Sequence, residues 1–376
     1  MNIQSAIEKT LETTQRNITR FAEGFPVVSK GDGVYHMTDE NGWTEGFWPG
    51  ILWLSYEYEN DAELLKAAVQ STDSLIRRLN AERALDHHDI GFLYSLSAQA
   101  RWIVEGHEPS RLSALHAADV MMKRWRSRLG VFQAWGPEHD PENGGRIIID
   151  CLMNLPLLCW ASEQTGDSNY ADCAFLHAEK SLKFLLRGDA SSYHTFYFDQ
   201  ATGDAQRGGT HQGYRDGSTW TRGQAWGVYG FALAYRYFQD PRFLDASKKM
   251  ARYFAEHLPE DGVAYWDFDA LQQADTARDS SASAIFACGV LELVEQLPDS
   301  DPDRDKLAQA AQHSVHALIE TYFTVGAPDE EGFLRRGSYS VRQGFSPDDF
   351  TIWGDYFFLE ALMRLHRGSS GYWYSR

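Results

Sequence analysis

Two aspartates sit where chemistry is possible. Asp89 follows two histidines in His87-His88-Asp89-Ile90-Gly91-Phe92, and Asp150 closes the run Arg146-Ile147-Ile148-Ile149-Asp150. Each falls immediately before, or at the start of, an apolar helical run. A helix start offers free backbone N–H groups and the positive end of a dipole, so an Asp there can serve as a cap and nothing more. Two such carboxylates facing one aromatic-lined pocket would instead be acid–base machinery. The Ile triplet before Asp150 favours burial, which raises a carboxyl pKa and keeps a proton available for donation near neutral pH.

Other reactive or ligand-binding types gather at the same kind of position. Trp43, Trp48, His88, Trp135, His194, His211, Gln212, Trp220, Arg222, Trp226, Tyr339, Trp353 and Asp355 all lie just before, or at the start of, apolar helical stretches. Side chains from several loops then meet over one central cavity, the usual setting of a ligand site. Arg222 opens an otherwise apolar helix in Trp220-Thr221-Arg222-Gly223-Gln224-Ala225-Trp226. Two readings stand: a clamp on a substrate carboxylate, or pairing with one of the loop aspartates. His194 and His211 each have a plain reading as loop histidines. The Gly-rich 208–213 run lacks the strand–helix setting of a phosphate loop, and no Ser nucleophile elbow is present. His87-His88-Asp89 lacks the i, i+4 spacing of a helical metal pair, and no metal or other cofactor is expected.

The elements that must position these residues alternate between two kinds. Stretches 46–58, 91–105, 150–165, 222–239, 280–296 and 353–366 are apolar on nearly every side and must be buried on every side. Each but the last is followed by an amphipathic stretch: 61–80, 110–128, 169–187, 241–257 and 303–323. A leading one over 4–22 completes the outer set. Asn60-Asp61, Ser110, Asp240-Pro241 and Asp301-Pro302 read as helix starts. Strict alternation of six and six predicts an all-α fold, an (α/α)6 barrel of six inner and six outer helices, rather than an open α-solenoid. The connections into the inner helices, 23–45, 81–90, 129–149, 188–221, 258–279 and 324–352, are long and fall at one end, where function is expected. Short strands are expected within 193–198 and 262–267. No linker divides the chain, so residues 1–376 are read as one catalytic domain.

Composition narrows the class. A formal charge of −18 argues against a nucleic-acid partner, which needs a concentrated basic surface, but leaves room for an anionic small substrate. The 12 tryptophans exceed what a core usually needs and suit a site that stacks sugar faces. Cys151, Cys159, Cys173 and Cys288 show no metal or redox spacing and read as reduced thiols of a cytoplasmic protein. No secretory signal and no membrane span is expected.

Four of these stretches carry a family resemblance. His88-Asp89-Ile90-Gly91-Phe92, Asp150-Cys151-Leu152-Met153-Asn154, Trp220 to Trp226, and Ile352-Trp353-Gly354-Asp355-Tyr356-Phe357 resemble those of bacterial unsaturated glucuronyl hydrolases, glycoside hydrolase family 88. The likeness runs through almost the whole chain and extends, less closely, to the unsaturated rhamnogalacturonyl hydrolases. It implies an (α/α)6 barrel. It also implies release of a 4,5-unsaturated glucuronic acid from the non-reducing end of lyase-generated di- and oligosaccharides. A proton goes to C4 and water to C5 of the vinyl ether, and the hemiketal opens. By the family pattern Asp150 is the acid/base, while Asp89 holds the ring hydroxyls O2 and O3 and tunes Asp150. Arg222 and Gln212 engage the substrate carboxylate with His194 and His211, and Trp43, Trp135 and Trp226 shape the pocket. His88 and Tyr339 complete the substrate-binding set.

The 344–350 loop, Gly344-Phe345-Ser346-Pro347-Asp348-Asp349-Phe350, has two acids and no Lys. Like-charge repulsion there predicts a preference for unsulfated substrates. A monomer or weak homodimer is expected. A sugar epimerase on the same fold and a non-catalytic carbohydrate-binding protein are the alternatives.

Overall fold

Helices that are apolar all round are stable only when neighbours cover every face, and the computed structural model shows how that cover is supplied. It describes residues 1–22, 24–38, 40–368 and 371–375. In chain order the helices are α1 (Ile3–Arg20), α2 (Phe47–Glu59), α3 (Ala62–Asn80), α4 (Ile90–Tyr94), α5 (Ala100–Glu105), α6 (Glu108–Met122), α7 (Leu155–Thr165), α8 (Ser168–Phe184), α9 (Thr221–Phe238), α10 (Pro241–His257), α11 (Ser280–Gln296), α12 (Arg304–Ala317) and α13 (Ile352–Arg367). A π-helical turn, Ser95–Gln99, fuses α4 and α5 into one inner helix, and a 3-10 turn, Ile149–Met153, leads into α7.

The inner helices close a ring: α2 packs on α4–α5, α4 on α7, α7 on α9, α9 on α11, α11 on α13, and α13 on α2. Outside it, α3 backs α2, α6 backs α4, α8 backs α7, α10 backs α9, α12 backs α11 and α1 backs α13. The six-and-six alternation is therefore present, and the fold is the (α/α)6 barrel. In α9 every residue from Thr221 to Ala234 is buried. In the outer α10 burial is confined to Phe243, Ala246, Ser247, Met250, Ala251 and Phe254, a stripe at helical spacing. Gly46 lets α2 approach α4: a Cβ there would lie 1.9 Å from the Phe92 carbonyl.

Two of the four expected helix starts hold, and α12 begins at Arg304 behind Asp303 rather than at Asp301-Pro302. Asp61 and Asp240 cap α3 and α10 through their side chains. The start at Ser110 is corrected. α6 begins at Glu108 with Pro109 in its first turn, where a missing N–H costs nothing, and Ser110 instead hydrogen-bonds His107. That helix also stops at Met122 rather than 128, because the chain turns into a hairpin of β3 (Trp125–Arg126) and β4 (Val131–Phe132) around Gly130, φ +65°. β1 (Phe25–Pro26) and β2 (Met37–Thr38) form another. β5 (Arg146–Ile148), β6 (Thr195–Phe198) and β7 (Ala205–Gly209) make a three-stranded antiparallel sheet. The strand expected in 193–198 is thus present, while 262–267 contributes only isolated bridges, Trp220–Asp267 and Tyr265–Arg278.

The six loops leading into the inner helices are stitched to one another. Val28 bridges Thr351, His87 bridges Trp135, β5 pairs with β6, Trp220 bridges Asp267, and the Ser280 amide donates to the Arg336 carbonyl. Arg78, buried at the end of α3, joins the first two loops by donating to the carbonyls of Gly42 and Ala84. The rim of the barrel is thereby a continuous belt, and side chains it carries are held against one another rather than left on independent loops.

Candidate active site

Asp89 occupies the N-cap position of α4 but makes no capping bond, which corrects the cap reading for this residue. The capping is done from the next inner helix: Asn154 Oδ1 accepts the Phe92 amide at 2.8 Å. Gly91 makes this possible, since a Cβ there would meet the Asn154 Cα at 2.6 Å. The Asp89 carboxylate is left with side-chain partners alone. Oδ1 lies 3.4 Å from His88 Nε2 and 3.5 Å from Asn154 Nδ2, and Oδ2 lies 3.5 Å from His87 Nδ1. Burial pushes its pKa up, but His88, His87 and Asn154 more than offset this, and it stays below the usual carboxylate value.

Asp150 is set differently. It sits in the first turn of the 3-10 segment, whose Ile149 amide donates to the His194 carbonyl at 3.0 Å. No helix uses its side chain as a cap. Its Oδ1 is sealed from solvent without a hydrogen-bond partner, while the residue keeps part of its surface open. Burial, then the Asp89 charge, raise its pKa to about 7, against the opposing pull of Arg222. Two carboxyls in one site are thus separated into an ionised one and one that holds a proton near neutrality.

Besides His87, three imidazoles belong to this end of the barrel. His88 and His194 are buried, and burial before all else lowers both: His88 to about 4, His194 well below its ordinary value. Near pH 7 His88 is neutral, so it offers Asp89 an N–H dipole rather than a full charge. His194 Nδ1 accepts the amides of His211 and Gln212 at 3.1 and 3.2 Å, which leaves its proton on Nε2. Its ring stacks on Trp220, centroids 4.3 Å apart. His211 is exposed, packed edge-on to Trp135 and within 3.2 Å of Gln343. Gln212 donates to the Tyr339 carbonyl at 2.8 Å.

For Arg222 the structure realises the second of the two readings that its sequence position left open. Its buried guanidinium pairs with Asp279, also donates to the Ser338 and Tyr339 carbonyls, and lies over Trp220 and Trp353. The last loop is therefore anchored through Arg222, which places Tyr339: its hydroxyl accepts from Trp43 Nε1 at 2.9 Å. Trp135 is half-buried, with the Arg146 guanidinium 4.6 Å from its ring centroid. Trp226 is fully buried against Phe92 and Phe357.

Asp355 serves the fold, accepting the Phe333 and Leu334 amides and the Tyr35 hydroxyl. The two acids of the 344–350 loop do not face the site as free charges. Asp348 pairs with Arg336 at 3.2 Å, and the buried Asp349 accepts from Ser29 and Gly31. Sequence reasoning missed Asn154, Asp279 and the role of Arg146. An Asn one helical turn beyond Asp150 was the signal available for the first; Asp279 has none, because it meets Arg222 only in three dimensions. Among the described residues no group of three or more His, Cys, Asp or Glu is placed to hold a metal ion, and no helix is long and apolar enough to cross a membrane.

The chain matches the model of Glycosyl Hydrolase Family 88 over residues 17–369. It is 59% identical over 373 residues to an unsaturated glucuronyl hydrolase of Bacillus sp. (strain GL1), covering 99% of both chains. It superposes with a TM-score of 0.99, at 58% identity and full coverage of both chains, on the crystal structure of an unsaturated glucuronyl hydrolase from Bacillus sp. GL1. A mutant unsaturated glucuronyl hydrolase from Streptococcus agalactiae, complexed with dGlcA-GalNAc6S, matches with a TM-score of 0.87 and 39% identity, over 99% of this chain and 93% of that one. A barrel with two unlike carboxyls at its loop end and a family match across nearly its whole length lead to one conclusion: the chain belongs to glycosyl hydrolase family 88 and is a glycoside hydrolase.

Proposed function

We propose that this enzyme releases 4,5-unsaturated glucuronic acid from the non-reducing end of lyase-generated di- and oligosaccharides, with the whole chain acting as one catalytic barrel. The observation that carries the reading is the Asp150 carboxyl, sealed without a partner at Oδ1 and held protonated to about pH 7 beside an ionised Asp89.

Asp150 gives its proton to C4, and positive charge develops at C5, shared with the ring oxygen. The resulting Asp150 carboxylate takes a proton from a water molecule whose oxygen bonds to C5. One water is consumed, and Asp150 ends protonated as it began. The hemiketal at C5 then opens, leaving a 5-keto group and a hemiacetal at C1 that expels the next sugar. Asp89, an acceptor only, holds O2 and O3, and its charge keeps the Asp150 proton in place. His194 Nε2–H, Gln212 and His211 receive the substrate carboxylate within the field of Arg222. Trp43, Trp135 and Tyr339 pack the sugar, with His88 holding Asp89.

A preference for unsulfated sugars rests on a narrower ground than repulsion, since Asp348 and Asp349 are both engaged. The 344–350 run offers no cation, and the exposed Arg342 beside Gly213 stands at its edge. Four buried, unpaired thiols suit a reducing compartment, the cytoplasm, and a monomer or weak dimer is proposed. The test is loss of the ultraviolet absorbance of the C4=C5 bond on mixing with an unsaturated glucuronyl disaccharide. Persistence of that absorbance contradicts the reading.

A further inference from the structure

Behind the site, two buried imidazoles carry unmet hydrogen-bonding groups of opposite kind. His177, on the outer helix α8, is fully buried, and its Nδ1 accepts the Phe132 amide at 3.0 Å. Burial keeps the ring neutral, its pKa pushed down to about 3. A neutral imidazole has one donor and one acceptor nitrogen, so the His177 proton is on Nε2, and that buried atom has no protein partner. His88 is the complement. Its Nε2 faces Asp89 Oδ1 at 3.4 Å, and a carboxylate only accepts, so Nε2 carries the proton. Its Nδ1 is then a bare acceptor, also buried and also without a partner.

The two rings belong to one edge of the same extended run. The Phe132 amide points to His177, and the Ala134 carbonyl accepts the His88 amide at 2.9 Å. Between them the Gln133 amide points the other way, to the Arg124 carbonyl. The rings are near enough for His88 to bear on the protonation of His177. A buried donor and a buried acceptor are each costly alone and satisfied together. No direct hydrogen bond joins these two atoms, and one buried water between them satisfies both.

We propose that His177 is a positioning residue for the reaction: its Nε2–H, through one buried water, satisfies His88 Nδ1, fixes the Nε2–H tautomer of His88, and so holds the Asp89 carboxylate in place beside Asp150. The chain Phe132 amide–His177–His88–Asp89 runs from the outer helix layer to the site, with each imidazole donating towards the substrate side. The proposal rests on the role given to Asp89 above, but its first observable does not need activity.

Long-range 1H–15N correlation spectra of protein labelled at histidine nitrogen report each tautomer, with His88 assigned by its loss in His88→Gln. Wild type shows both His177 and His88 protonated on Nε2. In His177→Phe the His88 tautomers mix and kcat falls roughly ten- to a hundredfold, the range for partners that orient a functional histidine, while KM changes little. His177→Gln, whose amide can accept from Phe132 and donate towards His88, restores tautomer and kcat. Wild-type His88 protonated on Nδ1 overturns the proposal, and this needs no variant to fold. So does an unchanged His88 tautomer in His177→Phe, whatever its activity, since the loss would then be one of packing. A shifted tautomer with unmoved kcat overturns the positioning role. If Asp89→Asn leaves kcat unmoved as well, the fault lies in the functional reading of Asp89.

Discussion

Asn154 does for α4 what Asp89 is placed to do. Its Oδ1 takes the Phe92 amide at 2.8 Å, and its Nδ2 lies 3.5 Å from the Asp89 carboxylate, which makes no capping bond of its own. An Asp in an N-cap position is ordinarily spent on the backbone. Here a borrowed cap leaves the carboxylate to the site. Asn154→Ala should cost about 0.5–2 kcal/mol of stability, the usual worth of a cap. It should also lower activity by more than that stability loss explains, because Asp89 is then free to turn to the Phe92 amide. Thermal unfolding and steady-state rates measured on one preparation check both; full activity in Asn154→Ala contradicts the borrowed cap.

Asp89→Asn should move the pH profile as well as the rate. Activity requires the protonated Asp150, so the basic limb of kcat/KM falls near pH 7 in the wild type. With the Asp89 charge gone, one cause of the elevation disappears and the Asp150 pKa drops. Residual activity in Asp89→Asn should therefore be lost at lower pH than in the wild type. A basic limb left in place argues against charge coupling between the two.

The same elevation makes a stability prediction free of catalysis. The folded pKa of Asp150, about 7, lies above its ordinary 3.8. Its contribution is fully present below about pH 4 and is lost as pH rises through 7. Asp150→Asn should match the wild type near pH 4 and exceed it at pH 8 by about 1 kcal/mol or more, given about 1.4 kcal/mol per pKa unit. His88 and His177, whose depressed values work in the opposite sense below about pH 6.5, are present in both proteins and cancel. Denaturant unfolding at the two pH values decides; equal stability at both contradicts the raised pKa.

Arg222→Ala should unfold the last loop before it reports on substrate. Removing one partner of a buried pair leaves Asp279 uncompensated, a loss of about 3–5 kcal/mol. The Ser338 and Tyr339 carbonyls lose their donor too. A variant as stable as the wild type, weakened only in binding, would restore the carboxylate clamp as its main role.

Unsulfated disaccharides should show higher kcat/KM than their sulfated counterparts, and Arg342→Ala should widen the gap by removing the cation at the loop's edge. Equal or better turnover of the sulfated sugar removes the preference.

How far the sequence alone could be read depended on range. The barrel was legible because burial on every side, as in 280–296, and one-sided burial, as in 241–257, write themselves into local periodicity. The two aspartates were legible as a pair because both begin inner helices. Their difference was half legible: the Ile triplet before Asp150 pointed to the burial that raises its pKa, whereas the reach of Asn154 to Asp89 and of Arg222 to Asp150 joins separate inner helices and leaves no local sign. The pairing of Arg222 was half legible, since an Arg in an apolar run needs a partner but the partner is 57 residues away. Loop acids misled for the same reason. Asp349 reads as a free charge in sequence and is buried against Ser29 from the other end of the chain.

The central claim is that Asp150 supplies the proton to C4. Its most direct test is turnover of an unsaturated glucuronyl disaccharide by Asp150→Asn, followed by the absorbance of the double bond, with substrate affinity measured by calorimetry. The expected result is a fall in kcat of roughly 10²–10⁴-fold, the usual share of a positioned general acid, with affinity largely kept. A rate near that of the wild type would contradict the claim.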